Sequence, residues 1–427
     1  MEKNELKIFF FFLIASFITS NSNLYRIDFT YSEINDSPQQ NSTKLRYNVD
    51  PYKTFNFYYN HELITEMSLG TPPQNILSKI SFEEYKTIVK NYTDNNNNSL
   101  TQFKPADSSS FTLLNSSISN EFCSDVIQIN NNKKNTLNFY LSKNINDINI
   151  IGLGKKLDNS LSNDSFELSL LNQLFDNDII KSKVISIKYF NNTNGEIVLG
   201  SNYSYINTTQ YLEMKMDESS LIVSESVHLY LVVSSTYVIM GESGLKLRLN
   251  LKSNFISMPE EYFEVLLNIS FTPYINLKIC EVNEQFNTKY LVCSEDILNN
   301  KMDQISLYCQ TEKQIIINLS KSFLPFQPNP HEKKLLLGIV SSKEKEYINI
   351  GTVYLINYVT FFNRNENVIR FYMKEMVRES EPNDVFGIVG IISLAIIISI
   401  LIIYMVSTIC GKDKYVSYYY AQHNKNF

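Results

Sequence analysis

The stretch ELITEMSLGTPPQNILSKISFEEYKTIV, from Glu62 to Val89, holds the residues on which the reading of this chain turns. Its first part, with the preceding His61, is one of many short β-rich runs separated by Asn, Ser, Gly or Pro. The others are DVIQIN, NTLNFYLS, KVISIKYF, GEIVLGS, YLVVSSTYVIM, LKLRLNL, IIINLS, YINIGTVYL and NVIRFYM. Together they predict a mostly-β body. Two helices interrupt it. SFELSLLNQLFDND places Phe166, Leu168, Leu170, Leu171 and Leu174 at helical spacing, with Asn163 or Ser165 as its cap. In PEEYFEVLLN, Pro259 suits a first helical turn and Glu260 and Glu261 suit its dipole. Residues 23–55 are polar, contain Pro and show no sustained period, so a loose N-terminal segment is expected there. NIIGLG near residue 150 and INIGTVYL near residue 350 echo each other, which hints at a two-fold organisation.

Outside this body, the two ends set an expected topology. The chain has 427 residues, enough for two domains or one large bilobal unit. Lys3 and Lys7 precede the apolar run IFFFFLIASFITS, which ends in small residues, so residues 1–22 read as a secretory signal. Val385–Ile409 is apolar without a single charge, and at about 1.5 Å rise per residue it spans ~30 Å of hydrocarbon. Glu379, Glu381 and Asp384 precede it and Lys412 and Lys414 follow, in the sense of the positive-inside rule. Residues 376–384 would then be a juxtamembrane stalk, 385–409 the transmembrane helix and 410–427 a cytoplasmic tail. The expected protein is a single-pass type I membrane protein of the secretory pathway, at the cell surface or in an endolysosomal-type vacuole. The lipid bilayer is its first expected partner. A net charge of −6 with no basic stripe argues against nucleic acid.

An extracytoplasmic body permits disulfides and glycans. Of five Cys, Cys280, Cys293 and Cys309 cluster, predicting one bridge among them with its pairing open. Sequons make Asn91, Asn115, Asn163, Asn202, Asn207, Asn268 and Asn318 glycosylation candidates. The four His are scattered without metal-ligand spacing, and no cofactor or metal is expected.

Five motifs in order resemble the pepsin-like aspartic proteases, the A1 peptidase family. LGTPPQ (Leu69–Gln74) looks like that family's strand and turn before its first catalytic loop, and FKPADSSSF (Phe103–Phe111) like its F-x-P-x-x-S-S-T-F segment. DINIIGLGKK (Asp147–Lys156) is similar to D-G-I-L-G-L-G, and GEIVLGSNYSYI (Gly195–Ile206) to G-x-L-x-L-G-G-x-D. INIGTVYLINYVTFFNRNENVIRFYM (Ile348–Met373) resembles the family's closing signature. The resemblance implies a bilobal pepsin-like fold with a few short helices. Its N-terminal lobe would span 56–212 and its C-terminal lobe 213–375, with 23–55 as a pro-like segment.

In that family each lobe lends an Asp from a D-T/S-G tripeptide. The two carboxylates share one proton, so that one activates a water while the other protonates the carbonyl. The seventh residue after Gln74, where the first Asp belongs, is Ser81, followed by Phe82 and Glu83. In LRLNLKSNFISMP, counting nine positions back from Pro259 gives Asn250, followed by Leu251 and Lys252. No D-T-G or D-S-G occurs anywhere in the chain. Ser and Asn do not titrate near neutral pH, so no catalytic residue is assigned. Ser81, Phe82, Glu83, Asn250, Leu251 and Lys252 are the candidates for lining the cleft, with a Glu–Lys pair across it conceivable. Between Phe111 and Asp125 there is neither Tyr nor Gly, so the substrate-covering hairpin of the family is expected to be missing or vestigial. The favoured expectation is a membrane-anchored pseudoprotease that binds an extended peptide or protein in its cleft, or fills it with Phe82 and Tyr85. The alternatives are an active aspartic endopeptidase, as overall similarity would imply, and a cell-surface adhesion or recognition protein.

Overall fold

A computed structural model describes residues 24–33, 55–56, 58–59, 61–91, 102–116, 120–130, 132–143, 148–154, 169–200, 211–217, 221–233, 236–240, 244–300, 302–309, 314–329 and 332–374. The expected signal (1–22), stalk (376–384), membrane span (385–409) and tail (410–427) lie outside these residues. Among the described residues no helix is long and apolar enough to cross a membrane.

The described strands are, in chain order, β1 Tyr25–Glu33, β2 His61–Leu69, β3 Gln74–Ser81, β4 Ile88–Lys90, β5 Thr112–Ser116, β6 Asn120–Ile129, β7 Asn135–Ser142, β8 Ile150–Gly152, β9 Val184–Tyr189, β10 Asn194–Leu199, β11 Leu212–Lys215, β12 Ile222–Val233, β13 Thr236–Ile239, β14 Leu245–Leu249, β15 Ile256–Pro259, β16 Cys280–Gln285, β17 Thr288–Ser294, β18 Gln304–Cys309, β19 Gln314–Asn318, β20 Phe323–Asn329, β21 Glu332–Ser342, β22 Tyr347–Ile350, β23 Tyr358–Asn363 and β24 Val368–Met373. They form two sheets. One runs β11-β24-β23-β9-β10-β1-β2-β3-β8-β4-β7-β6-β5; the other runs β16-β17-β21-β15-β22-β14-β12-β18-β19, with β13 on β12 and β20 on β21. Helices are short: Leu170–Asp176, Glu260–Leu266 and Thr352–Leu355 are examples. The body is thus mostly β, and the strand runs read from sequence fall on strands.

Within each sheet the same four-strand unit recurs. In the first, β3 lies parallel to β8, β8 antiparallel to β4, and β4 parallel to β7. In the second, β14 lies parallel to β22, β22 antiparallel to β15, and β15 parallel to β21. The echo of NIIG and INIG is therefore structural, because these segments are β8 and β22, the strands inserted between the two arms of a loop.

Two sequence motifs are joined in the first sheet. Gln74 Nε2 donates to the Lys104 carbonyl and Gln74 Oε1 accepts from Lys104 N, both at 2.9 Å. Gly70, at φ +88°, lies so close to Ser108 that a Cβ would come within 2.7 Å of its Oγ. The Thr71 amide donates to Ser108 Oγ at 3.1 Å. The Ser108 and Ser110 hydroxyls then donate to the Asp125 carboxylate at 2.9 and 2.5 Å. LGTPPQ and FKPADSSSF are one brace, closed on a fully buried carboxylate.

Two expectations need correction. Residues 23–55 are not loose throughout. Tyr25–Glu33 is an internal strand, paired with β10 on one side and β2 on the other. Its Tyr25, Ile27, Phe29 and Tyr31 are buried in alternation, a period the polar residues around it obscured. Finally, the stretch after Phe111 does form a hairpin, β5 with β6, although it bears no Tyr or Gly.

Two outcomes follow from this packing. Ile27→Ala, at a fully buried position, should cost about 2–5 kcal/mol in urea unfolding, and a chain starting at residue 56 should not fold. Asp125→Ala strands two hydroxyls and an amide, and should cost about 1–3 kcal/mol per unsatisfied group in the same assay.

Candidate functional site

Each four-strand unit carries one connecting loop. The first, residues 82–87, leaves β3 and returns as β4; the second, residues 250–255, leaves β14 and returns as β15. Their starting points are equivalent in register. Ser81 pairs with Gly152, and Asn250 follows the Leu249–Ile350 pair, donating its amide to the Ile350 carbonyl at 2.9 Å. Both of these equivalent positions carry neutral side chains.

Both side chains are turned into their own loops. Ser81 Oγ accepts from the Glu84 amide at 3.0 Å, and Asn250 Oδ1 accepts from the Lys252 amide at 3.1 Å. Each is a short polar residue closing a local turn, the ordinary use of Ser and Asn at such places. Phe82 and Leu251 are buried, with Phe82 5.7 Å from Phe362, ring to ring. Glu83 and Lys252 point the other way and meet: Lys252 Nζ lies 2.8 Å from Glu83 Oε2. The backbone joins the loops to the first half as well, because the His61 amide donates to the Lys252 carbonyl at 2.9 Å.

A cleft of about 560 Å³ opens here, within the size range of small-molecule and peptide sites. Phe82, Glu83, Asn250, Leu251 and Lys252 line it. Ser81 does not; it is 2% exposed, its hydroxyl spent on the Glu84 amide. Tyr85, the other candidate for filling the cleft, also lies outside its lining and carries the Lys86 ammonium 5.3 Å from its ring centre. From the loops the cleft runs along the second sheet past Arg248 and Asn349 to Lys343, Glu344 and the hairpin tip Phe286–Asn287. Arg248 is held by Glu344 at 3.0 Å and lies 4.0 Å from the Tyr347 ring centre. The hairpin end was missed in the sequence. CEVNEQFNTKYLVC carried the signal: alternation on either side of a two-residue turn, flanked by a pair of Cys.

Cys280 and Cys293 form the expected bridge, across directly paired positions of β16 and β17. Cys123 is free and buried, its thiol pushed up to about 12, first by burial and then by Glu121. Of the sequon residues, Asn115 and Asn268 are exposed, Asn91 is half-buried, and Asn318 Oδ1 caps a turn by accepting from the Ser320 amide. Asn163, Asn202 and Asn207 lie outside the described residues. Among those residues no three His, Cys, Asp or Glu side chains gather as metal ligands.

No family model matches the chain, and no curated protein matches it.

The Glu83–Lys252 pair is exposed on the Glu side, so its strength should be small. A double-mutant cycle with Glu83→Gln and Lys252→Met should return a coupling of ~0.2–1 kcal/mol that fades with added salt.

Proposed function

We propose that this chain is a membrane-anchored pseudoprotease: a bilobal, pepsin-like body without its catalytic pair, whose cleft binds an extended peptide or protein segment. The observation that carries this is the use made of Ser81 and Asn250. At the two places where the resemblance requires a proton-sharing pair of carboxylates stand two non-titrating groups, each committed to a backbone amide of its own loop. The carboxylate beside the first position, Glu83, has a cation for its neighbour. A shared proton requires two carboxylates in contact, and here the contact is between a carboxylate and an ammonium.

The repeated four-strand unit supports the two-lobed reading, since each lobe of such a body would contribute one unit and one loop. The Cys280–Cys293 bridge supports placement of the body on the oxidising side of a membrane, in keeping with a type I topology anchored through Val385–Ile409. The cleft supports binding as the remaining activity, being open, of suitable volume and lined by charged, polar and aromatic groups.

Purified full-length protein in detergent, incubated with unfolded casein between pH 3 and 7 with and without a statine-type inhibitor, tests the reading. No inhibitor-sensitive cleavage is expected, and peptide fragments of the same casein are expected to be retained. Turnover blocked by the inhibitor would overturn the pseudoprotease proposal in favour of an active endopeptidase.

A further inference from the structure

The far end of the cleft is formed by an unusual turn. β16 and β17 pair through Gln285 and Thr288, so Phe286 and Asn287 are its only two residues. Both have positive φ, +51° and +59°, the arrangement of the tight hairpin turn that normally selects Asn, Asp or Gly at each position. Asn287 fits. A phenylalanine in left-handed backbone is a steric outlier, and such strain persists only where the surroundings enforce it. Its ring gains no burial in return, being 63% exposed, yet it lines the cleft.

The hairpin beneath it is rigid. The Cys280–Cys293 bridge closes the end opposite the turn. Lys289, just past the turn, donates its amide to Ser341 Oγ at 2.7 Å and its ammonium to Glu260 and Glu264 at 2.8 and 2.5 Å. Tyr290 stacks on Phe55 with centroids 4.4 Å apart. An exposed aromatic ring on a fixed support at the edge of a cleft has the properties of a binding anchor: large apolar area with few rotatable bonds to freeze.

The walls nearby define the rest of the ligand. Three cations line the cleft, Arg248, Lys252 and Lys343, against two carboxylates, Glu344 and Glu83. The carboxylates are bonded to Arg248 and Lys252. Lys343 has no ion-pair partner among the described residues, and the nearby Glu260 is already bonded to Lys289. Asn349 donates its amide to Ser257 Oγ at 2.8 Å and fixes this part of the wall.

We propose that Phe286 is the anchor by which the cleft takes an extended peptide carrying a large apolar side chain, with a carboxylate beside it held by Lys343. This rests on the cleft-binding reading above and specifies its ligand.

The test uses full-length protein in detergent and a positional-scanning library of acetylated, amidated, fluorescent eight-residue peptides. Wild type should select a large apolar residue and, one or two positions away, Asp or Glu. Phe286→Asn should weaken the selected peptides about tenfold or more and erase the apolar preference. Its melting temperature should stay level or rise, because Asn is at ease in that turn. Lys343→Glu should exchange the acidic preference for a basic one. If Phe286→Asn keeps both affinity and apolar selectivity, the anchor is wrong while peptide binding by the cleft stands. An acidic preference that survives Lys343→Glu removes Lys343 from the proposal. A wild-type protein that selects no peptide overturns both the anchor and the cleft-binding reading.

Discussion

Two glycines fix the geometry from which the rest follows. A Cβ at Gly152 would lie 2.6 Å from the carbonyl oxygens of Tyr85 and Lys86, and one at Gly351 would lie 2.3 Å from that of Phe255 and 2.4 Å from that of Ser253. No real side chain tolerates such contacts, so each loop lies directly on the backbone of the strand inserted between its arms. Peptide-to-peptide hydrogen bonds then close the contact. Gly154 N donates to the Glu84 carbonyl, and Thr352 and Val353 donate to those of Ser253 and Asn254. With any larger residue at either glycine, the loop would lift, and the parallel pairing of β3 with β8 or β14 with β22 would lose its neighbour.

Seated this way, the second loop becomes the junction of the two halves. Asn254, fully buried, donates its side-chain amide to the Asn192 carbonyl at 3.1 Å and accepts from the Thr352 hydroxyl at 3.0 Å. Its backbone amide bonds the Tyr58 carbonyl. Phe255, next along, packs in a buried aromatic group with Phe55, Tyr58 and Tyr59. Polar groups this deep are tolerated because they are satisfied, and satisfaction demands one geometry. The position of the cleft floor is therefore set by buried amides and rings that the cleft itself does not display.

The sequence revealed strands wherever local pattern and local environment agree. NTLNFYLS is β7 from end to end because its alternation matches one buried and one open face. Tyr25–Glu33 escaped notice although it alternates equally well, since its burial depends on β2 and β10, far away in the chain. YLVVSSTYVIM looked like one run but folds back as β12 and β13, and YINIGTVYL stops being a strand at Gly351 and enters a helical turn. Helix bounds shifted similarly: Pro259 ends β15 and caps the helix from outside. At the site, counting from LGTPPQ and from Pro259 reached equivalent places because the repeated unit fixes both distances. Nothing local could show that Phe286 borders the same cleft, since that depends on how β17 pairs with β21.

The two loops need no charge at residues 81 and 250 to hold their shape. What the backbone requires at residues 81 and 250 is an acceptor oxygen close to the main chain, to receive an amide two or three residues on. A carboxylate would supply one, and so do the hydroxyl of Ser81 and the amide oxygen of Asn250. The neutral groups are also easier to bury, for they carry no desolvation penalty of an ion and raise no repulsion between facing loops. Ser81, at 2% exposure, is as well accommodated as the apolar Phe82 beside it. The local structural demand at both positions is thus met in full by side chains that do not titrate near neutral pH, each spent on an amide of its own loop.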